Sequence, residues 1–283
     1  MVSRLNCGGR HLSLDTPQIM GVLNVTPDSF SDGGALLSSN GLLEDRLLAR
    51  ASQMVADGAV ILDVGGESTR PGAEAVSTQE ELDRVMGAIA LLSSRVDVIL
   101  SVDTSNPVVM REAATSGIGM LNDVRALTRA GALEVAVQAD LPVSLMHMSA
   151  EPERMQAHTD YQDVVSDVMV FLKSRVEQCL AAGVVRSRIL IDPGFGFGKT
   201  VSQNYEILRR LREFASFELP LLVGLSRKSM IGAITGRSAP NRVVPSAVLA
   251  VLAAQGGAAV IRVHDVAETA DALAVWRATK GEL

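Results

Sequence analysis

Eight short apolar runs recur along the chain, most of them followed by a longer stretch of helical period, and this alternation restricts the fold more than any other feature. The runs are IMGVLNV (19–25), AVILDVG (59–65), VDVILSVD (96–103), IGMLNDV (118–124), LPVSLMH (141–147), RILIDPG (188–194), LPLLVGLS (219–226) and AAVIRVHD (258–265). Each is bounded by Gly, Pro or polar residues and apolar nearly throughout, as a strand buried on both faces should be. Between them, segments such as TQEELDRVMGAIALLSSR carry apolar residues at i, i+3, i+4 and i+7. Several helical stretches end in Gly just before the next run, at Gly58, Gly117, Gly183 and Gly257, where a left-handed cap suits glycine. The repeat has no Pro/Ser-rich linker, so residues 1–283 are expected to form one α/β unit, a (β/α)8 TIM barrel. A doubly wound open sheet has the same periodicity and competes with it. Residues 1–17 precede the repeat and are expected to form a hairpin or plug at the N-terminal mouth.

Composition narrows the function. Aromatics are only 3%, so Ala, Val, Leu, Ile and Met must build the core. A net charge of −6 argues against a nucleic-acid surface, so any anion needs a local cationic pocket. The two cysteines, Cys7 and Cys179, have no metal-ligand spacing, which disfavours zinc or a disulfide framework and fits a reducing cytoplasm. The first residues show no secretory signal, and no apolar run approaches the roughly 18 residues of a membrane span.

Barrel enzymes carry their chemistry at the C-terminal ends of the strands. Here those ends bear Asn24, Asp103, Asn122, Asp192, Ser226-Arg227-Lys228, and Arg262 with His264. Any one of them, Asp103 or Asn122 included, is also the residue type that caps a following helix. Their convergence on one rim is harder to explain by capping. Two Gly/Pro/Ser-rich stretches, 24–34 and 65–74, follow the first two strands and read as loops closing over that rim; they hold Phe30, Thr69, Arg70 and Pro71.

Other features have plainer readings. DPGFGFGKT (192–200) lacks P-loop spacing, because Pro193 stands where glycine is needed, and it also misses the dinucleotide spacing. It reads as a tight strand-to-helix turn that places Asp192 and Phe197. His147 and His158 have no partners at metal spacing, so structural or solvent-facing roles are expected. Asp63 lies inside a buried run and could be catalytic, but it reads rather as a satisfied structural carboxylate near the second loop, and Glu67 reads similarly. Met146, Met148, Met155 and Met169 read mostly as core filler.

The stretches GVLNVTPDSFSDGG, ILDVGGESTRPGA, SVDTSNP, LNDV, LMHM, DPGFGFGK, LVGLSRKSMIG and IRVHDV together resemble the dihydropteroate synthase family, in that family's order, from residue 21 to 266. The resemblance implies a pterin-binding (β/α)8 barrel, usually dimeric and sulfonamide-sensitive. It also implies a transferase of folate biosynthesis, which joins 6-hydroxymethyl-7,8-dihydropterin diphosphate to para-aminobenzoate and releases pyrophosphate. By resemblance the pterin pocket comprises Asp103, Asn122, Met146, Asp192, Phe197, Lys228 and Arg262, with Lys228, Arg262 and Asp192 closest to the catalysis. Thr69, Arg70, Arg262 and His264 would surround the diphosphate, and Asn24 would hold Mg2+. Ser229 would meet the para-aminobenzoate carboxylate, with Phe30 and Pro71 sandwiching its ring. The implied reaction is dissociative substitution at carbon and needs no general base.

Two other activities compete: a methyltetrahydrofolate methyltransferase, which has no use for a diphosphate site, and a non-catalytic pterin-binding paralogue, which would not need both lids. One stretch departs from the family. In NRVVPSAVLA (241–250), Arg242 and Ser246 are kept while Asn241, Val243 and Pro245 differ, so packing or oligomer contacts are affected more than chemistry. Pro245 is tolerable in the first turn of a helix.

Overall fold

The computed structural model describes residues 2–25, 42–67, 76–152 and 154–281. It opens with an antiparallel hairpin, β1 (Arg4–Cys7) and β2 (Arg10–Ser13), with Leu5 opposite Leu12. The eight apolar runs then each contain one parallel strand: β3 (Gln18–Asn24), β4 (Ile61–Gly65), β5 (Ile99–Asp103), β6 (Met120–Asp123), β7 (Val143–Met146), β8 (Ile189–Asp192), β9 (Leu222–Val223) and β10 (Val260–Val263). Each strand pairs in parallel with the next from β3 to β8, and β10 pairs with both β3 and β9. A parallel bridge between Ile191 and Leu221 joins the two ends. The sheet is therefore a closed (β/α)8 barrel, which decides against the open doubly wound alternative.

Helices cover the outside. They are α1 (Leu42–Ala56), α2 (Thr78–Arg95), α3 (Pro107–Ala114), α4 (Ala132–Ala139), α5 (Val164–Ala182), α6 (Val201–Arg209), α7 (Ser229–Thr235), α8 (Val243–Gln255) and α9 (Val266–Thr279). In α2 a capping box between Ser77 and Glu80 fixes the start, a feature that contributes about 1 kcal/mol. Its residues Val85, Ala88, Ile89 and Leu92 recur at helical period and are buried. The four helix-ending glycines all adopt positive φ. No described helix is long and apolar enough to cross a membrane.

The barrel interior explains where the chemistry lies. At its lower end Met20, Ile61, Ile99, Met120, Leu190, Leu222 and Val260 form an apolar cluster with Leu5, Cys7 and Leu12 of the hairpin. The N-terminal segment is thus the expected plug. Side chains on one face of a strand recur every second residue. Two residues further along these strands the inward positions become Val22, Asp63, Ser101, Asn122, Asp192, Gly224 and Arg262. The interior therefore turns from hydrocarbon to charge in one step, towards the C-terminal mouth. Cys7 and Cys179 are both buried and free, and burial pushes each thiol up to about 11.

Candidate active site

Arg262 crosses the floor of the mouth. Its Nε donates to Asp63 Oδ2 at 2.6 Å and its terminal nitrogen to Asp103 Oδ2 at 2.7 Å. The same Asp63 oxygen accepts from Asn122 Nδ2 at 2.9 Å. Three strands, β4, β5 and β6, and the distant β10 are thereby tied into one polar floor. Burial, with Asp63 and Asp123 nearby, pushes the Asp103 carboxyl up to about 7, although Arg262 pulls it back. Burial works against the charge of Arg262, but Asp63 and Asp103 outweigh it and hold the guanidinium above its ordinary value.

Asp192 closes the other side. Its Oδ1 accepts from Gly194 N at 2.7 Å, and burial raises it to about 6 against the pull of that N–H, Lys228, Lys199 and Arg262. The turn it opens requires glycine: Gly194 has φ +69°, and a Cβ there would lie 1.9 Å from the His147 carbonyl oxygen. This turn delivers Phe197, whose ring centroid is 4.2 Å from Lys228 Nζ.

Lys228 is presented by a strained turn. Arg227 adopts φ 58°, a left-handed conformation that costs a non-glycine residue roughly 1–2 kcal/mol. Its N–H donates to Ser246 Oγ at 3.0 Å, its carbonyl accepts from Arg242 at 2.9 Å, and its guanidinium pairs with Asp265. Arg242 also donates to the Lys228 carbonyl at 3.2 Å. Arg242 and Ser246 thus fix the turn that carries Lys228. Pro245 is the third residue of α8, where a missing N–H breaks no intrahelical bond.

These elements enclose a cavity of about 550 Å3, lined by Asn24, Asp103, Phe197, Lys228, Ser229, Arg262 and His264 of the expected residues. Asn122, Met146 and Asp192 are buried, at 4%, 4% and 5% exposure, beneath that lining. The structure therefore brings all ten of the expected site residues that it describes to one mouth. Phe30, Thr69, Arg70 and Pro71 lie outside the described residues, as does most of each expected lid loop. Helix capping does not explain Asp103, because Asn106 is the N-cap of α3.

Asp63 and His264 depart from what their sequence context suggests. Asp63 is satisfied at only one oxygen: its Oδ2 is the hub of the floor, while its buried Oδ1 has no hydrogen-bond partner among the described residues. The period-two pattern Ile61-Asp63-Gly65 was the signal, since it points Asp63 at the barrel axis. Glu67 lines the cavity and lies 3.7 Å from Arg125. Met155 is cavity wall as well as core. His264 is half-buried, and burial together with Arg262, Arg227 and Lys228 drives it down to about 3, so it offers a neutral ring rather than a positive charge. Its Nδ1 lies 3.1 Å from Ser226 Oγ. His147 is buried and His158 exposed, as expected. Among the described residues no group of three or more His, Cys, Asp or Glu side chains forms a metal cage.

Residues 20–264 match the model of the pterin binding enzyme family. The dihydropteroate synthase of Haemophilus influenzae is 49% identical to the chain, with 98% of each sequence covered. The chain belongs to the dihydropteroate synthase family. The solved Yersinia pestis dihydropteroate synthase, in a sulfonamide drug complex, superposes with a TM-score of 0.93 at 48% identity, covering 98% of this chain and 99% of that one. The Xanthomonas albilineans dihydropteroate synthase with 4-aminobenzoic acid gives a TM-score of 0.92 at 46% identity, covering 99% of each. These dihydropteroate synthase matches favour neither the methyltransferase nor the non-catalytic paralogue.

Proposed function

We propose that this chain condenses 6-hydroxymethyl-7,8-dihydropterin diphosphate with para-aminobenzoate, giving 7,8-dihydropteroate and pyrophosphate. The observation that carries this reading is the shared floor, in which Asp63, Asp103, Asn122 and Arg262 are bonded together beside Asp192 and Lys228.

A dihydropterin edge presents an amine and a ring N–H as donors, beside a carbonyl and ring nitrogens. Asp103 and Asp192 supply acceptors, Asn122 an amide, and Lys228 a donor for the carbonyl. Phe197 and Met146 are the apolar walls, and the flat guanidinium of Arg262 stacks on the ring. In the reaction the bond between the methylene carbon and the diphosphate oxygen breaks, and its electron pair leaves with pyrophosphate. The arylamine nitrogen bonds to the methylene and releases one proton. Arg262, Thr69 and Arg70 draw off the anion, with His264 as a neutral hydrogen-bonding partner. Ser229 receives the para-aminobenzoate carboxylate, and Phe30 and Pro71 hold its ring.

Asn24 is the proposed Mg2+ ligand. Its Oδ1 lines the cavity beside Gly65, where an added Cβ would lie 3.3 Å from that oxygen and 3.8 Å from Asp103 Oδ2. A single hard amide oxygen fits an ion that takes most of its ligands from substrate oxygens and water, and the ion when bound supplies positive charge to the diphosphate. We place the reaction in the cytoplasm and in a homodimer. Exposed Ile234, Val244, Val248 and Leu252 border one apolar groove between α7 and α8, which supports pairing with a second copy.

The test combines protein, dihydropterin diphosphate, para-aminobenzoate and Mg2+ and measures pyrophosphate and dihydropteroate. Both products should form, and Lys228→Ala and Asp192→Ala should nearly abolish them. Wild-type kcat/KM in either variant would overturn the pocket.

A further inference from the structure

Beneath the pterin side of the cavity lies a buried cation with no part in the chemistry above. Lys199 is only 4% exposed. Its Nζ donates to the carbonyls of Gly194 at 2.8 Å and Phe197 at 3.0 Å, approaches the His147 carbonyl at 3.4 Å, and lies 2.9 Å from His147 Nδ1. Burial and Lys199 itself push His147 down to about 2, so the ring is neutral and its Nδ1 is the acceptor facing the ammonium.

The three residues gripped here are placed by the pocket, not scattered. His147 follows Met146, and its N–H donates to the Asp192 carbonyl at 2.9 Å. Gly194 is the residue whose N–H holds the Asp192 carboxylate. Phe197 is itself the wall against Lys228. Neighbouring bonds leave this turn little freedom: Asn204 accepts from Gly196 N at 2.7 Å, Gln156 donates to the Gly196 carbonyl at 3.0 Å, and Tyr161 to that of Gly198 at 2.9 Å. A buried ammonium satisfied by carbonyls is costly to remove and stabilises one backbone arrangement.

We propose that Lys199 is a positioning residue for the pterin subsite, whose single ammonium locks Met146, Asp192 and Phe197 into one relative placement. The proposal rests on the reading of those residues as the pterin subsite. A purely structural lysine would change melting temperature alone, whereas a positioning residue splits the two substrates. In Lys199→Met the KM for dihydropterin diphosphate should rise at least tenfold, while that for para-aminobenzoate stays within twofold. A folded Lys199→Met protein with an unchanged pterin KM overturns the proposal. Asp192→Asn and Lys228→Met run alongside: if both leave pterin KM intact, the subsite reading fails, and if only Lys199→Met does, the positioning role fails.

Should Lys199→Met not fold, wild-type hydrogen exchange decides. Burial lowers Lys199 to about 7, with Asp192 raising it and Lys228 lowering it, while the neutral His147 faces it and the Tyr161 hydroxyl caps the same turn. Loss of its proton should loosen the turn. Between pH 6 and pH 9, protection of the Gly196 and Phe197 amides, corrected for base catalysis, should fall at least tenfold while β7 and β8 amides hold theirs. Constant protection overturns the proposal.

Discussion

Arg262 Nε and Asp63 Oδ2 stand 2.6 Å apart inside the barrel, and that contact joins β10, the last barrel strand, to β4, the second. Asp63 is fully buried and serves Asn122 with the same oxygen. Asp63→Asn keeps the shape but removes the charge that orients both partners. It should lower kcat/KM by roughly 10- to 100-fold, the rate equivalent of the about 1.5–3 kcal/mol of a hydrogen bond to a charged group. Asp63→Ala should in addition destabilise the fold by about 3–5 kcal/mol, because Arg262 loses one of its buried carboxylates. Steady-state kinetics and chemical denaturation measure the two effects; wild-type kinetics for Asp63→Asn would remove Asp63 from the site.

The floor carboxyls predict opposite pH trends for stability and binding. Asp103 is raised to about 7 and Asp192 to about 6, both above the ordinary 3.8 of an unfolded aspartate. A raised folded-state pKa contributes stability below the unfolded value and loses it as pH rises through the folded one. The share of stability owed to these groups should therefore decline between about pH 4 and pH 7. Pterin donors need the ionised form, so pterin binding should strengthen over pH 5–7. Melting temperatures and pterin affinities across pH 5–8, compared with Asp103→Asn, check both signs; an unchanged pH profile in that variant contradicts the assignment.

Why this much was legible from sequence is physical. A strand buried on both faces must be apolar, so each polar residue inside such a run is conspicuous, and the strand ends declared Asp103, Asn122, Asp192 and Arg262. The unbroken βα repeat called for a parallel sheet covered by helices, while its closure into a barrel rested on the count of eight and was open to a doubly wound sheet. What periodicity does not encode is contact across the axis. Asp63 and Arg262 are far apart in sequence, and they meet because β10 pairs with β3, which in turn pairs with the strand of Asp63. Lys199 was hidden for another reason: at the end of a glycine-rich turn a lysine reads as solvated, and its burial depends on His147 from the preceding βα unit.

The turn before α7 gives a stability and rate prediction. Ser246 Oγ accepts from the N–H of left-handed Arg227 and donates to the Arg242 carbonyl at 2.6 Å. Ser246→Ala should cost about 1 kcal/mol, the scale of one hydrogen bond lost at a part-buried N–H. It should also lower kcat by displacing Lys228, whereas Ser246→Thr, which keeps the hydroxyl, should restore most of it. Equal kcat for all three proteins would show that the turn holds itself.

The apolar stripe on α8 predicts the state of assembly. Val244, Val248 and Leu252 recur at i, i+4 and i+8 and are 73%, 54% and 43% exposed, so one helix face meets solvent along its length. At roughly 25 cal/mol per Å2, covering such a face favours pairing with a second copy of the chain. Light scattering of the purified protein should give twice the chain mass of 29.9 kDa. Val248→Glu places a charge at the middle of the stripe and should yield monomers, since a desolvated carboxylate without a partner opposes association. The floor residues all lie within one chain, so the monomeric variant should retain its pterin affinity. A wild-type monomer, or a Val248→Glu dimer, would place the contact elsewhere or remove it.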